Sequence, residues 1–137
     1  MAGAVVVGYD GLLGAKAALE KAIDMAKRLE AELVIVYGYE VSKVAGEVSD
    51  LAAALRESGE SLVAEAADQA RAAGIEPRQE VREGDPAQAL ATMGTEVGAE
   101  MIVVGTRGER PLLGAILGSL CHKLLHLSTV PVLVVPI

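Results

Sequence analysis

Tryptophan and phenylalanine are absent from this chain of 137 residues, and tyrosine occurs only three times. A core stacked on aromatic rings is therefore excluded. With 52% of residues hydrophobic, the interior must be built from Ala, Val, Leu and Ile. Such small side chains suit helices packed closely on a β-branched sheet. Cysteine occurs once, at Cys121, so no intrachain disulfide can form, which points to a reducing compartment and hence the cytoplasm. The apolar runs are far shorter than the roughly 20 residues of a membrane span, which argues against a membrane protein. No basic stretch followed by an apolar segment reads as a signal peptide at the N-terminus. Cations are scarce: Lys and Arg number 12 against 19 Asp and Glu, a formal charge of −7. That balance argues against sequence-independent binding to nucleic acid, which needs a cationic surface. The length predicts one domain spanning residues 1–137.

What is present is an alternation of buried strands and amphipathic helices. Ala4-Val5-Val6-Val7 is a continuous run ending at Gly8, as expected of a strand covered on both faces. Ala18, Leu19, Ala22, Ile23, Ala26 and Leu29 recur at helical spacing and predict a helix over 14–30. Leu33 to Tyr37 reads as the second strand, and a looser polar segment follows at 40–47. Leu51, Ala52, Leu55, Leu62, Val63, Ala66 and Ala70 set a long helical stripe that stops at Gly74. Glu76 to Val81 is a more charged strand candidate, nearer an edge. Asp85-Pro86 reads as a helix cap followed by proline at the first helical position, with the helix running to about Val97. Met101 to Val104 is the fourth strand. Leu117, Leu120, Cys121, Leu124 and Leu127 outline the fourth helix, and Val132 to Val135 closes the chain as a fifth strand. This order calls for an α/β fold, an open parallel five-stranded sheet with helices on both faces. In such sheets ligands sit beyond the C-terminal strand ends where the strand order reverses. The residues alone leave that order open.

The most informative stretch follows the fourth strand. Gly105-Thr106-Arg107-Gly108 is separated by nine residues from Gly118-Ser119, with Pro111 and Gly114 between. Glycines let main-chain N–H groups turn inward, and a helix start adds partial positive charge, so the pattern suits a phosphate. Ser119 falls in the first helical turn, where its hydroxyl and N–H can both meet a phosphate oxygen. The competing reading makes Gly105 and Gly108 ordinary strand-end residues and Ser119 a plain cap. The local charge leans towards the anion: residues 101–137 hold three cations against one anion, whereas the first hundred hold nine against eighteen.

The pattern of Gly, two residues, Gly, nine residues, Gly and Ser resembles the nucleotide loop of the universal stress protein family. The resemblance extends to the opening Val-Val-Val-Gly-Tyr-Asp-Gly, to Val-Ile-Val-Tyr, to Val-Val-Gly-Thr-Arg-Gly and to the closing Pro-Val-Leu-Val-Val. It implies a single-domain member of the type that carries the ATP-binding motif, with an adenine nucleotide alpha hydrolase-like, Rossmann-like sheet of order 3-2-1-4-5. It further implies that Asp10, after Gly8 and Tyr9 at the first strand's exit, bonds the ribose, with Tyr9 near the base and the backbone around Gly38 at the adenine edge. Gly105, Gly108, Gly118 and Ser119 would hold the phosphates, with Leu120 and Cys121 behind them and Arg107 at the rim, and Thr106 would be among the nucleotide-binding residues. ATP would come with Mg2+ or Mn2+, held mainly through phosphate oxygens. A homodimer joined through Val132–Val135 is implied as well, and it would resolve the hazard of an apolar sheet edge.

Two positions depart from the family pattern: Leu12-Leu13 stands where a serine is usual, and Cys121 where Ser or Thr is frequent. The first makes the loop more apolar and favours the rival expectation, a nucleotide-independent homodimeric interaction module of the same fold. Other motifs carry less. Gly8, Gly11 and Gly14 have the wrong spacing for a dinucleotide fingerprint, and no Gly-x4-Gly-Lys-Ser/Thr loop occurs. His122 and His126 lie four apart on the last helix and read as solvated residues without a third metal ligand. Cys121 lies on the apolar stripe and reads as a small core residue, not a nucleophile. No positioned general base is evident, so at most slow hydrolysis is expected.

Overall fold

Side chains alternate between two buried layers along every central strand of the computed structural model, which describes residues 3–41, 48–106 and 118–136. The elements are β1 (Ala4–Gly8), α1 (Leu13–Leu29), β2 (Glu32–Tyr39), α2 (Val48–Ala72), β3 (Arg78–Glu83), α3 (Pro86–Glu96), β4 (Ala99–Gly105), α4 (Ser119–Leu127) and β5 (Val132–Val135). The strands pair in parallel in the order β3-β2-β1-β4-β5. Val5, Val7, Leu33, Ile35 and Val103 face α1 and α2, while Val6, Val34, Val36, Ile102 and Val104 face α3 and α4. A period of two with apolar residues on both sides is what a doubly covered sheet requires. None of the described buried residues is polar or charged.

The helices follow their sequence signals closely, with instructive shifts. In α1, Ala18, Leu19, Ala22, Ile23 and Ala26 are buried as one stripe. Three small residues in that stripe let the helix lie close to β1 and β4. The long stripe of α2 begins burial later than its leucines suggest, since Leu51 is 49% exposed and Val63, Ala66, Ala67 and Ala70 form the buried face. Twenty-five residues of helix span about 37 Å, whereas the eight of β2 span about 27 Å, so the first turns of α2 overhang the sheet.

The third strand runs from Arg78 to Glu83, two residues later than its charge pattern suggests. Gly74 ends α2 with φ of +91°, Ile75 donates back to the Ala70 carbonyl at 3.0 Å, and Arg71 clamps Glu76 at 2.9 Å. Pro77 lacks the N–H a ladder needs, so pairing starts beyond it. As expected, β3 is an edge. Its face carries the chain Arg78–Glu80–Arg82–Glu96, which keeps that edge charged.

Candidate functional site

The sheet order puts β1 beside β4, and the chain leaves them towards opposite faces, β1 into α1 and β4 into α4. The crevice opened between those exits is the expected ligand position of such a sheet. A cleft of about 480 Å³ fills it. Gly8, Tyr9 and Asp10 line it from β1, Gly38 from β2, and Gly105 and Thr106 from β4. Gly118, Ser119, Leu120 and Cys121 line it from the start of α4. Ten of the residues singled out in the sequence thus converge on one cavity. Arg107 and Gly108, with Pro111 and Gly114, lie outside the described residues.

Two of the glycines are there because a backbone passes too close for any side chain. A Cβ on Gly105 would stand 2.5 Å from the carbonyl oxygen of Gly14 and 2.7 Å from its Cα, so α1 rests directly on the end of β4. A Cβ on Gly38 would meet the Cα of Pro86 at 2.8 Å, which seats the start of α3 on the end of β2. Gly118 differs. Its φ of −65° and ψ of 160° are open to any residue, so conformation does not demand a glycine there, and the residue lines the cleft.

The helix starts around the cleft differ in how they are capped. Asp85 caps α3, accepting the Gln88 N–H at 3.1 Å. Neither Leu12 before α1 nor Gly118 before α4 offers a side-chain cap. The first helical bonds are Lys16 N–H to Leu12 and His122 N–H to Gly118, both 3.0 Å. The N–H groups of residues 13–15 and 119–121 therefore have no intrahelical partner, and Gly14, Ala15, Ser119, Leu120 and Cys121 line the cleft. Uncapped amides with the positive ends of two helix dipoles favour an anion between them. Gly118 itself donates to the Thr106 carbonyl at 2.7 Å, which ties the start of α4 to the end of β4.

Side chains play a smaller part. One Asp10 oxygen accepts the Leu12 N–H at 3.0 Å and braces the turn after β1, and Asp10 remains exposed at the cleft. The Tyr9 ring is buried in the layer under α1 and α2, although the residue borders the cleft. Burial first, then the charge of Glu65 and of Asp10, and lastly its hydrogen bond to Glu65 push its hydroxyl above the ordinary tyrosine value. Cys121 is buried beside Leu124, and burial pushes its thiol up, so it stays protonated and inert. Its thiol belongs to the core, and what Cys121 can offer an anion is its main-chain N–H. The replacement of a hydroxyl by a thiol therefore costs the cleft less than the loss of a side-chain donor implies.

Two charged lining residues, Asp85 and Lys123, were not singled out in the sequence as site residues. Lys123 Nζ lies 2.9 Å from Asp85 Oδ1, joining α4 to α3 across the cleft wall. Lys123 first, supported by the Gln88 N–H, holds the Asp85 carboxyl below its ordinary range. Asp85 was legible only as a cap. The spacing of Lys123, one turn after Ser119, was the available signal. Among the described residues no group of three or more His, Cys, Asp or Glu can hold a metal ion. His122 and His126 stand edge to face at 5.0 Å on the exposed side of α4.

The sequence profile of the universal stress protein family matches residues 1–136. This chain belongs to the universal stress protein family. Universal stress protein YxiE of Bacillus subtilis is 32% identical over 143 residues, a match covering 96% of this chain and 97% of that protein. A universal stress protein solved in complex with cAMP is 29% identical, with a TM-score of 0.76 over 97% of this chain and 96% of that one. Hypothetical protein MJ0577 shares the fold at a TM-score of 0.87, covering 100% of this chain and 97% of its own, at 19% identity. The universal stress protein fold thus accounts for the order 3-2-1-4-5 and for the crevice. Among the described residues no helix is long and apolar enough to cross a membrane.

Proposed function

We propose that this universal stress protein is a cytoplasmic ATP-binding regulator whose bound nucleotide sets its conformation or its choice of partner. The observation that carries this reading is the pair of uncapped helix starts, α1 and α4, facing one cleft floored by Gly105 and closed by Gly118. Six amide groups without intrahelical partners suit a polyphosphate, which needs many donors and little side-chain chemistry. The apolar wall of Val36, Pro86 and Leu90 beside Gly38 suits a purine, and Asp10 at the exit of β1 suits ribose hydroxyls. The relative solved with cAMP supports an adenine ligand. Mg2+ or Mn2+ would be held mainly through phosphate oxygens. Hydrolysis would be slow at most: among the described lining residues the carboxylates are Asp10, which braces the turn after β1, and Asp85, which caps α3.

Purified protein stripped of nucleotide is expected to bind ATP saturably in the presence of Mg2+, measured by calorimetry. No saturable binding up to millimolar ATP would end this reading. The exposure of Leu13, at 57%, favours a second reading in which the cleft is unused and the fold serves as an interaction module. Mass analysis of freshly purified protein separates the two, since co-purifying ATP or ADP rules the second out.

Either reading includes a homodimer through β5. Among the described residues that strand pairs with β4 alone and is the last in the sheet order, and its four apolar residues are half-buried. Leu125 and Leu127 on the adjoining α4 are 47% and 37% exposed, which extends the apolar margin. Light scattering at micromolar concentration is expected to give twice the chain mass, and Val134→Pro, which puts proline in the edge strand, should return it to a monomer.

A further inference from the structure

We infer that Lys123 is an exchangeable phosphate ligand, held by Asp85 while the cleft is empty and released to a nucleotide phosphoryl group seated at Gly118 and Ser119. The inference rests on the nucleotide reading of this cleft and adds to it a side chain and a competition. Among the described residues that line the cleft, the charged side chains are Asp10, Asp85 and Lys123, so Lys123 is the cation within that set. Its partner carries two contacts at once. Asp85 Oδ2 caps α3 through the Gln88 N–H at 3.1 Å, while Oδ1 takes Lys123 at 2.9 Å.

The helix geometry gives Lys123 access to both anions. It sits four residues after Ser119, hence on the same face of α4 one turn below, and helical side chains lean towards the N-terminus. A lysine stem of that length reaches the level of the first turn, where the N–H groups of residues 119–121 have no intrahelical partner. Its side chain is 58% exposed, so its position is not fixed by packing. The Asp85–Lys123 contact is a partly exposed ion pair of modest worth, easily given up to a group carrying more negative charge. The asymmetry of the caps fits this exchange. After Lys123 leaves, Asp85 still caps α3, so only one contact changes hands.

A double-mutant cycle read by calorimetric titration with ATP and Mg2+ tests the exchange. Lys123→Met is expected to weaken ATP about tenfold, the scale of one charge-assisted contact. Asp85→Asn keeps the cap, because asparagine caps as well as aspartate, and is expected to tighten ATP about threefold by freeing Lys123. In the Lys123→Met background the same Asp85 change should do no more than about twofold, since no lysine remains to be freed. Thermal unfolding of each variant confirms that all are folded. Equal affinity of Lys123→Met and wild type, or weakening by Asp85→Asn, overturns the exchange and leaves the pair as a strut between α3 and α4. Absence of ATP binding by the wild type removes the nucleotide reading itself, and the exchange with it.

Discussion

A Gly105→Ala variant should lose about 3 kcal/mol of stability, the upper part of the range for forcing extra atoms into a packed interior. The reason lies in what the new methyl group would meet. Its three nearest neighbours are the O, C and Cα of Gly14, at 2.5 to 2.7 Å, all of them backbone. A flexible side chain can swing away, but a helix can only lift. Restoring ordinary contact requires α1 to move off β4 by about 1 Å, which loosens the layer formed by Ala18, Ala22 and Val103. For a chain of this size the melting temperature should fall by roughly 10 °C. Gly8→Ala is the control: its methyl would meet the Leu90 Cδ1 at 3.0 Å, the end of a side chain that can shift, so the loss should stay near 1 kcal/mol. Urea titration of both variants decides the matter. A Gly105→Ala protein within about 0.5 kcal/mol of wild type would show that α1 does not rest on the end of β4.

That contrast bears on what the glycine motif means. Gly105 and Gly118 belong to one spacing pattern, yet the structure separates them: a backbone crossing demands glycine at Gly105, whereas Gly118 lines the cleft in a conformation open to any residue. Sequence spacing cannot distinguish these, because both positions carry the same residue. Elements governed by one strong local rule are legible in the residues. The β-branched runs are β1, β2, β4 and β5, and the Asp85-Pro86 signal places the start of α3 to the residue. Features decided by tertiary context are not. The burial of α2 depends on the length of the sheet beneath it, so Leu51 reads as core and is exposed. The start of β3 depends on how the turn at Gly74 and the Arg71–Glu76 contact consume the residues before Pro77.

The cleft shows the same division. Residues that follow the strand exits were legible because topology carries every parallel strand's exit to one end of the sheet. The Lys123–Asp85 pair was not, since it joins residues 38 apart in sequence through the packing of α3 on α4. Tyr9 and Cys121 show a further limit. Position along the chain brought both to the cleft, but the alternation of β1 and the apolar stripe of α4 turned their side chains into the core. For these residues, main-chain groups are what remain at the cleft, which is consistent with a site built from amides.

Gly118→Val should abolish most of the nucleotide affinity while leaving the fold intact. The backbone at Gly118 is extended, a conformation valine prefers, so no strain is introduced there. Valine is a poor helix cap, and glycine caps better, so a loss of about 1 kcal/mol in stability is expected. The Gly118 N–H bond to the Thr106 carbonyl does not involve the side chain and survives. What changes is the wall: a branched side chain stands where a phosphate must approach the amides of residues 119–121. Losing two charge-assisted bonds at about 1.5 kcal/mol each lowers affinity by roughly 100-fold. Ser119→Ala, which removes one hydroxyl and leaves the amides open, should lower it by no more than about tenfold. Calorimetry with ATP and Mg2+ beside a melting curve reads both effects. A folded Gly118→Val protein that binds ATP as tightly as wild type would place the phosphates elsewhere. A Ser119→Ala loss as large as that of Gly118→Val would shift the weight of binding from main chain to side chain.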